Sequence, residues 1–370
     1  MAKISDSSET IRSQFIRLLD ALKSYGPRNL TLISMVTGIP RETVRYKVKK
    51  QLRDLGFRIN MIPNVYRMGL TRQFARLTFT REGLRIARNL MQQLGTDSYL
   101  TYYCKIAFKN EYLAILTPPQ RYARLYREYF EDLAKVRIIQ DFELHRVTEV
   151  GYPHVTYRLF DFERGMWSIP SEDHEDEPDG DVVLQRASSD EQANYLIDSI
   201  DLSIITELLN DSFTPMTRVS SAEGRDPRLL RYHFQEHIVR KGLIAGHVIG
   251  WYPTGIEDSS IARMWIEMKD MNSRVTKELF GKVISSPYCK FYQILDNHTY
   301  TVFLEIGNQF RTAIEYLSNK FAENSVEGQL VVVEDANGYA ITKELFRENH
   351  GWIKPTLSQP LREGIPLKLL

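Results

Sequence analysis

The chain has 370 residues, with 48 Lys+Arg against 47 Asp+Glu (formal charge +1), 43% hydrophobic and 26% charged residues. Such values exclude a disordered or fibrous chain and, at ~100–200 residues per domain, predict two to four domains. No apolar run approaches the ~20 residues that span a bilayer, and the start MAKISDSSETIRSQF lacks the apolar core of a secretory signal. The two cysteines, Cys104 and Cys289, cannot build a disulfide framework or a four-Cys zinc site, which points to a reduced, cytoplasmic setting.

Apolar residues at helical spacing (Ile11, Phe15, Leu18, Leu19, Leu22) predict a first helix over Ile11–Tyr25, ended by Gly26-Pro27. A short second helix, Leu30–Thr37, is closed by Gly38-Ile39-Pro40. A third, Arg41–Leu55, stops at Gly56 ahead of an extended segment, Phe57–Pro63. Two helices about a glycine-bearing turn, then an extended segment, make a helix-turn-helix with a wing. Downstream the pattern becomes strand Phe74–Thr80, helix Arg81–Leu94, strands Ser98–Ile106 and Glu111–Thr117, helix Gln120–Lys135 and strand Ile138–Arg146. This β-α-β-β-α-β order is that of a ferredoxin-like unit.

The same order returns as strand Ile261–Met268, helix Asn272–Ile284, strands Lys290–Leu295 and Thr301–Ile306, helix Gln309–Glu323 and strand Gln329–Glu334. An offset of 186 residues superposes Gly38 on Gly224, Arg45-Tyr46 on Arg231-Tyr232, Gly56 on Gly242, Tyr66 on Tyr252 and Gly69 on Gly255. The chain is one domain pair written twice. The predicted layout is a winged helix over residues 1–66, a ferredoxin-like domain over 67–168, an acidic linker over 169–196, a second winged helix over 197–255, a second ferredoxin-like domain over 256–352 and a tail over 353–370. The fold class is α+β. The near-zero charge is a cancellation: residues 1–60 hold twelve Lys/Arg and five Asp/Glu, whereas Ser171–Asp181 holds seven acids and no cation.

The motif Gly38-Ile-Pro-Arg-Glu-Thr-Val-Arg opening the third helix, and Leu52-Arg-Asp-Leu-Gly-Phe-Arg-Ile closing it, ahead of a strand and a small sheet domain, resemble the Lrp/AsnC (feast/famine) regulators. The resemblance implies a non-enzymatic transcription regulator that binds double-stranded DNA. It also implies homodimers formed through the sheet domains and leaves open an amino-acid-like effector, although no residue pattern marks its pocket. On the third helix Val44, Val48, Leu52 and Leu55 share one apolar face. The other face offers phosphate contacts (Lys49, Lys50 and Arg53, joined by Arg58 just past the helix) and base-edge candidates (Thr43, Arg45, Tyr46 and Lys47), with Arg41 a further DNA-binding candidate. The second copy keeps the apolar back (Leu230, Phe234, Ile238), but Leu229, Gln235, Glu236 and Val239 replace Thr43, Lys49, Lys50 and Arg53. Arg228, Arg231 and Tyr232 remain as weaker DNA or partner contacts.

No phosphate loop, HExxH or GxSxG is present, so no cofactor, metal or catalytic residue is expected. His233 and His237, four apart on a helix, read as surface or core histidines, and Cys104 as a small buried hydrophobe. Two other readings remain. Tetrapyrrole (siroheme-type) decarboxylases resemble this family, although the His-Asn-Tyr-x-Arg signature expected on the second strand is absent. A protein-interaction scaffold would use the helical units for protein contacts instead.

Overall fold

The computed structural model describes residues 2–357 except 156, 158–159, 168–181, 188–196, 253–261, 270–273, 287, 307–318, 320–321, 323–326 and 349. It is a mixed α/β molecule in which two helical units stand on one β-barrel. No described helix is long and apolar enough to cross a membrane.

In the first helical unit, the helix Ala2–Tyr25 buries Phe15, Leu18, Leu19 and Leu22 against Ile33, Val44, Val48 and Leu52. Asn29 caps the helix Leu30–Thr37 by accepting from the Leu32 amide, and Gly38 ends it at φ +67°. Gly224, 186 residues on, ends the helix Met216–Glu223 at φ +62°. Left-handed backbone at both sites is the local reason for glycine there. The third helix of each unit contains a π-turn: Lys47–Gln51 follows Arg41–Tyr46, and His233–Val239 follows Pro227–Tyr232.

The wings do not stay with their own helices. Strand β1 (Phe57–Pro63) pairs antiparallel with β9 (Ile244–Trp251), so that Phe57 faces Trp251 and Met61 faces His247. The two helical units are thereby joined through one two-stranded sheet. Chain beyond the first sheet, with the short strands β6 (Phe160–Asp161) and β7 (Met166–Trp167), folds back over the first unit, stacking Phe162 on Phe15 with ring centroids 5.0 Å apart. In the second copy Leu345 and Trp352 cover the second unit in the same way.

Strands β2 (Gln73–Phe79), β3 (Leu100–Ile106), β4 (Glu111–Leu116) and β5 (Ile139–Pro153) lie in the order β3-β4-β2-β5. Strands β10 (Ala262–Met268), β11 (Cys289–Leu295), β12 (Tyr300–Ile306) and β13 (Glu327–Gly338) repeat it as β11-β12-β10-β13. The predicted helix Gln309–Glu323 falls almost wholly outside the described residues. The sheets do not remain separate units. β13 pairs with β3 and β11 pairs with β5, which closes an eight-stranded antiparallel barrel within one chain.

The physical reason is coverage. Helices such as Leu84–Asp97 and Arg124–Lys135 bury one face of a sheet, and the other apolar face must find a partner. Each copy supplies that partner to the other, through Phe74, Cys104, Ile115, Trp265, Phe303 and Val331 in a shared core. An ion-paired set, Arg76 with Glu111 (2.9 Å) and Glu267, links the two copies inside it. The expected homodimer through the sheet domains is accordingly corrected: those faces and edges are used within the chain. The expected acidic linker also contains a strand, β8 (Val182–Arg186), which pairs with the end of β5.

Candidate functional site

One end of the barrel, beneath the wing sheet, collects polar side chains from both copies. Arg72 precedes β2, Tyr102 lies near the start of β3, and Tyr152 is at the end of β5. Arg263, Lys290 and Glu305 come from β10, β11 and β12. The register forces this meeting: β10 and β11 begin, and β12 ends, where β3 begins and β5 ends.

Arg72 donates from Nη1 to the Tyr152 hydroxyl at 3.0 Å, while its Nε, shielded from solvent, has no hydrogen-bond partner among the described residues. Tyr152 packs on Phe291 at 6.0 Å between centroids. Tyr66 donates to the Val147 carbonyl at 3.1 Å, and burial pushes its hydroxyl up to about 12. Opposite, Arg263 pairs with Glu305 at 2.8 Å, both largely buried. Lys290 donates to the Trp251 carbonyl at 2.5 Å and lies 4.0 Å over the Tyr252 ring. Burial brings its ammonium down to about 8, against the opposing pull of Glu305 and Cys289. Deeper in the barrel, Gln293 and Thr301 face each other across β11 and β12, with both amide atoms and the hydroxyl unpartnered among the described residues. Tyr102 and Trp265 turn their polar atoms toward the Cys104 thiol.

Buried donors and acceptors left unpaired cost about 1–3 kcal/mol each, and most proteins avoid them. A concentration of them beside two cations and several hydroxyls is a polar surface built for something other than its own neighbours. It can hold a carboxylate on Arg72 and Lys290, and it can present a phenolic proton.

A cleft of about 560 Å³ opens between the helical units, lined by Arg28, Asn29, Met216, Thr217, Arg231 and Phe234. Arg28 donates to the Thr214 carbonyl at 3.0 Å and lies 4.5 Å over Phe234. Beneath it His247 is held neutral, its pKa brought down to about 4 by burial and by the Arg28 charge.

The proposed DNA residues are placed unevenly. Arg41, Thr43, Arg45, Tyr46, Lys49 and Lys50 are exposed. Lys47 is only 8% exposed, with its ammonium 4.3 Å over the Phe15 ring and 3.4 Å from Gln51 Oε1. Arg53 reaches Asp211 of the second copy at 3.3 Å, and Arg58 folds back onto the Arg53 and Phe57 carbonyls. Arg228, Arg231 and Tyr232 are exposed.

No protein-family model matches the chain, and no curated protein matches it significantly. Among solved structures, the crystal structure of the siroheme decarboxylase NirDL is similar over 89% of this chain and 94% of its own, with a TM-score of 0.51 and 10% identity. A second NirDL structure, in complex with an iron-uroporphyrin III analogue, covers 86% and 91% at a TM-score of 0.48 and 11% identity. These neighbours are enzymes, not DNA-binding regulators. The fold shared over nearly the full length is that of a decarboxylase, so the expected double-stranded DNA partner, regulatory function and non-enzymatic reading are withdrawn. The local reasons agree: one base-edge candidate is buried and two phosphate candidates are tied to the protein itself.

Sequence reasoning missed the barrel-mouth residues. Lys290 and Arg72 sit next to strand starts, where a cation ordinarily points to solvent. Only the closure of the barrel turns them inward.

Proposed function

We propose that this chain binds a carboxylate-bearing tetrapyrrole of the siroheme class and removes a carboxyl group from an acetate side chain. The observation that carries this reading is the barrel mouth, where Arg72, Lys290, Tyr102 and Tyr152 stand among buried, unpaired polar atoms. The likeness to siroheme decarboxylase over almost the full length agrees with it. We read each half of the barrel as a ferredoxin-like βαββαβ unit, because its strand order is that of the motif. The resemblance to Lrp/AsnC proteins then marks the ancestry of the fold.

Chemically, the reaction breaks one C–C bond: R–CH2–COO⁻ plus H⁺ gives R–CH3 and CO2. The bonding electron pair stays on the methylene carbon, which takes the proton, so no external oxidant or reductant is required. In this reading Arg72 and Lys290 hold carboxylates of the substrate by charge-assisted hydrogen bonds. Tyr152, oriented by Arg72, supplies the proton and regains it from solvent. The dry surroundings disfavour a charged carboxylate more than neutral CO2, which assists its loss.

The test is an absorbance titration of the full chain with iron-uroporphyrin III, followed by repetition with Arg72→Met. Saturable binding that weakens in the variant supports the reading. No spectral change at millimolar protein, or binding that Arg72→Met leaves intact, contradicts it.

A further inference from the structure

The second helical unit contains a four-residue group that the tetrapyrrole reading does not use: Asp198, Asp201, His233 and His237, one ligand atom of each lying within 4.8 Å of the others. Asp198 caps the helix Ser199–Asn210 and forms a capping box with Asp201. One oxygen of Asp198 accepts the Asp201 amide at 2.9 Å, which leaves its Oδ2 turned toward the imidazoles. Asp201 is fully buried, with Oδ1 2.9 Å from His233 Nδ1 and Oδ2 3.2 Å from His237 Nδ1. Asp198 Oδ2 lies 3.5 Å from His233 Nδ1 and 3.9 Å from His237 Nδ1.

We propose that these four side chains bind one zinc-class divalent cation, which staples the first helix of the second unit to its third. Metal–ligand bonds of ~2.0–2.2 Å imply tetrahedral edges of roughly 3.3–3.6 Å; the carboxylate–imidazole separations of 2.9 to 3.9 Å bracket that range, and a small closure of the group, whose ligand atoms lie within 4.8 Å of one another, completes the shell. The donor set, two imidazole nitrogens and two carboxylate oxygens, suits zinc and admits cobalt. The capping hydrogen bonds that orient both carboxylates supply the outer support such sites use. His237 and Asp198 are only partly buried, so a cation can enter from solvent.

The internal duplication provides an independent reason to read this as a site. At the 186-residue offset the same four positions in the first unit are Arg12, Phe15, Lys47 and Gln51. There the link between the same two helices is made by the Lys47 ammonium over the Phe15 ring, with Gln51 beside it. All four positions differ together. One copy joins its helices with a built-in cation, and the other carries four groups able to hold an external one.

The experiment uses the untagged full chain, stripped with chelator, and zinc alone as the probe. We expect one zinc per chain by calorimetry, a higher Tm with zinc, and visible d–d absorption of four-coordinate character with Co²⁺. The half-buried His237→Gln variant, folded by circular dichroism, should lose affinity by more than the ~10–100-fold that outer-shell changes cause. Arg240→Gln on the same helix should bind as the parent does. A stripped chain that takes up no zinc overturns the proposal, showing the group to be a hydrogen-bonded cap. Zinc binding that His237→Gln leaves unchanged overturns it equally. Both readouts are independent of tetrapyrrole binding.

Discussion

Replacing Arg72 with Met separates a binding role from a structural one. The guanidinium donates to Tyr152 at 3.0 Å, and its buried Nε has no partner among the described residues. Losing a hydrogen bond to a charged group costs about 1.5–3 kcal/mol, whereas removing an orphaned buried donor returns about 1–3 kcal/mol. The methionine side chain keeps most of the apolar stem. The two terms nearly cancel, so stability should change by no more than about 1 kcal/mol, a Tm shift within ~1–2 °C for a chain of this length. Ligand binding has no such compensation. Loss of one charge-assisted carboxylate contact, worth about 1.5–3 kcal/mol, weakens affinity roughly ten- to hundredfold. Melting curves with and without iron-uroporphyrin III, together with an absorbance titration, measure both effects. A Tm drop far beyond that range would show Arg72 to be structural, and an unchanged affinity would remove it from the site.

Two further outcomes are expected. Lys290 has its pKa lowered by burial to about 8 in the folded protein, below the ordinary lysine value of about 10.4. Between those values the unfolded chain keeps a proton that the folded chain has released, so stability should rise with pH through that window. Denaturant melts from pH 7.5 to 10.5 should flatten in Lys290→Met, and decarboxylation should fall as pH rises past about 8. An identical pH slope in the variant would refute the assignment. Trp265, 1% exposed, touches Phe74, Tyr102, Phe291 and Phe303 where the two copies share a core. Trp265→Ala should cost about 3–5 kcal/mol by urea denaturation. Trp265→Phe should cost clearly less, because it keeps an aromatic ring and removes an indole N–H. Equal losses would show that the ring is not what packs the barrel.

The duplication is legible in particular residues. Gly38 and Gly224, 186 apart, occupy the same left-handed helix ends, and the boundaries Leu30–Thr37 and Phe57–Pro63 match the pattern of apolar residues and breakers. Closure of the barrel is not legible, because alternation along β3 or β11 marks an inward face without saying which sheet covers it. Lys47 shows a related limit. Its place on the helical wheel flanks the exposed face, but the Phe15 ring from another helix draws it inside. The motif of the third helix pointed to DNA, since a short helix-turn-helix says nothing of what its partner surfaces do. His233 and His237 were visible as an i,i+4 pair. Their carboxylate partners, 32–39 residues upstream, fell outside any familiar metal spacing and are brought near only by helix packing.

Decarboxylation of a tetrapyrrole by this chain can be read out by anaerobic incubation with siroheme and mass spectrometry of the extracted product. The expected product lacks one or more carboxyl groups, lost as CO2, and forms in proportion to protein but far less with Arg72→Met. Siroheme recovered unchanged from protein shown to bind it would rule the activity out.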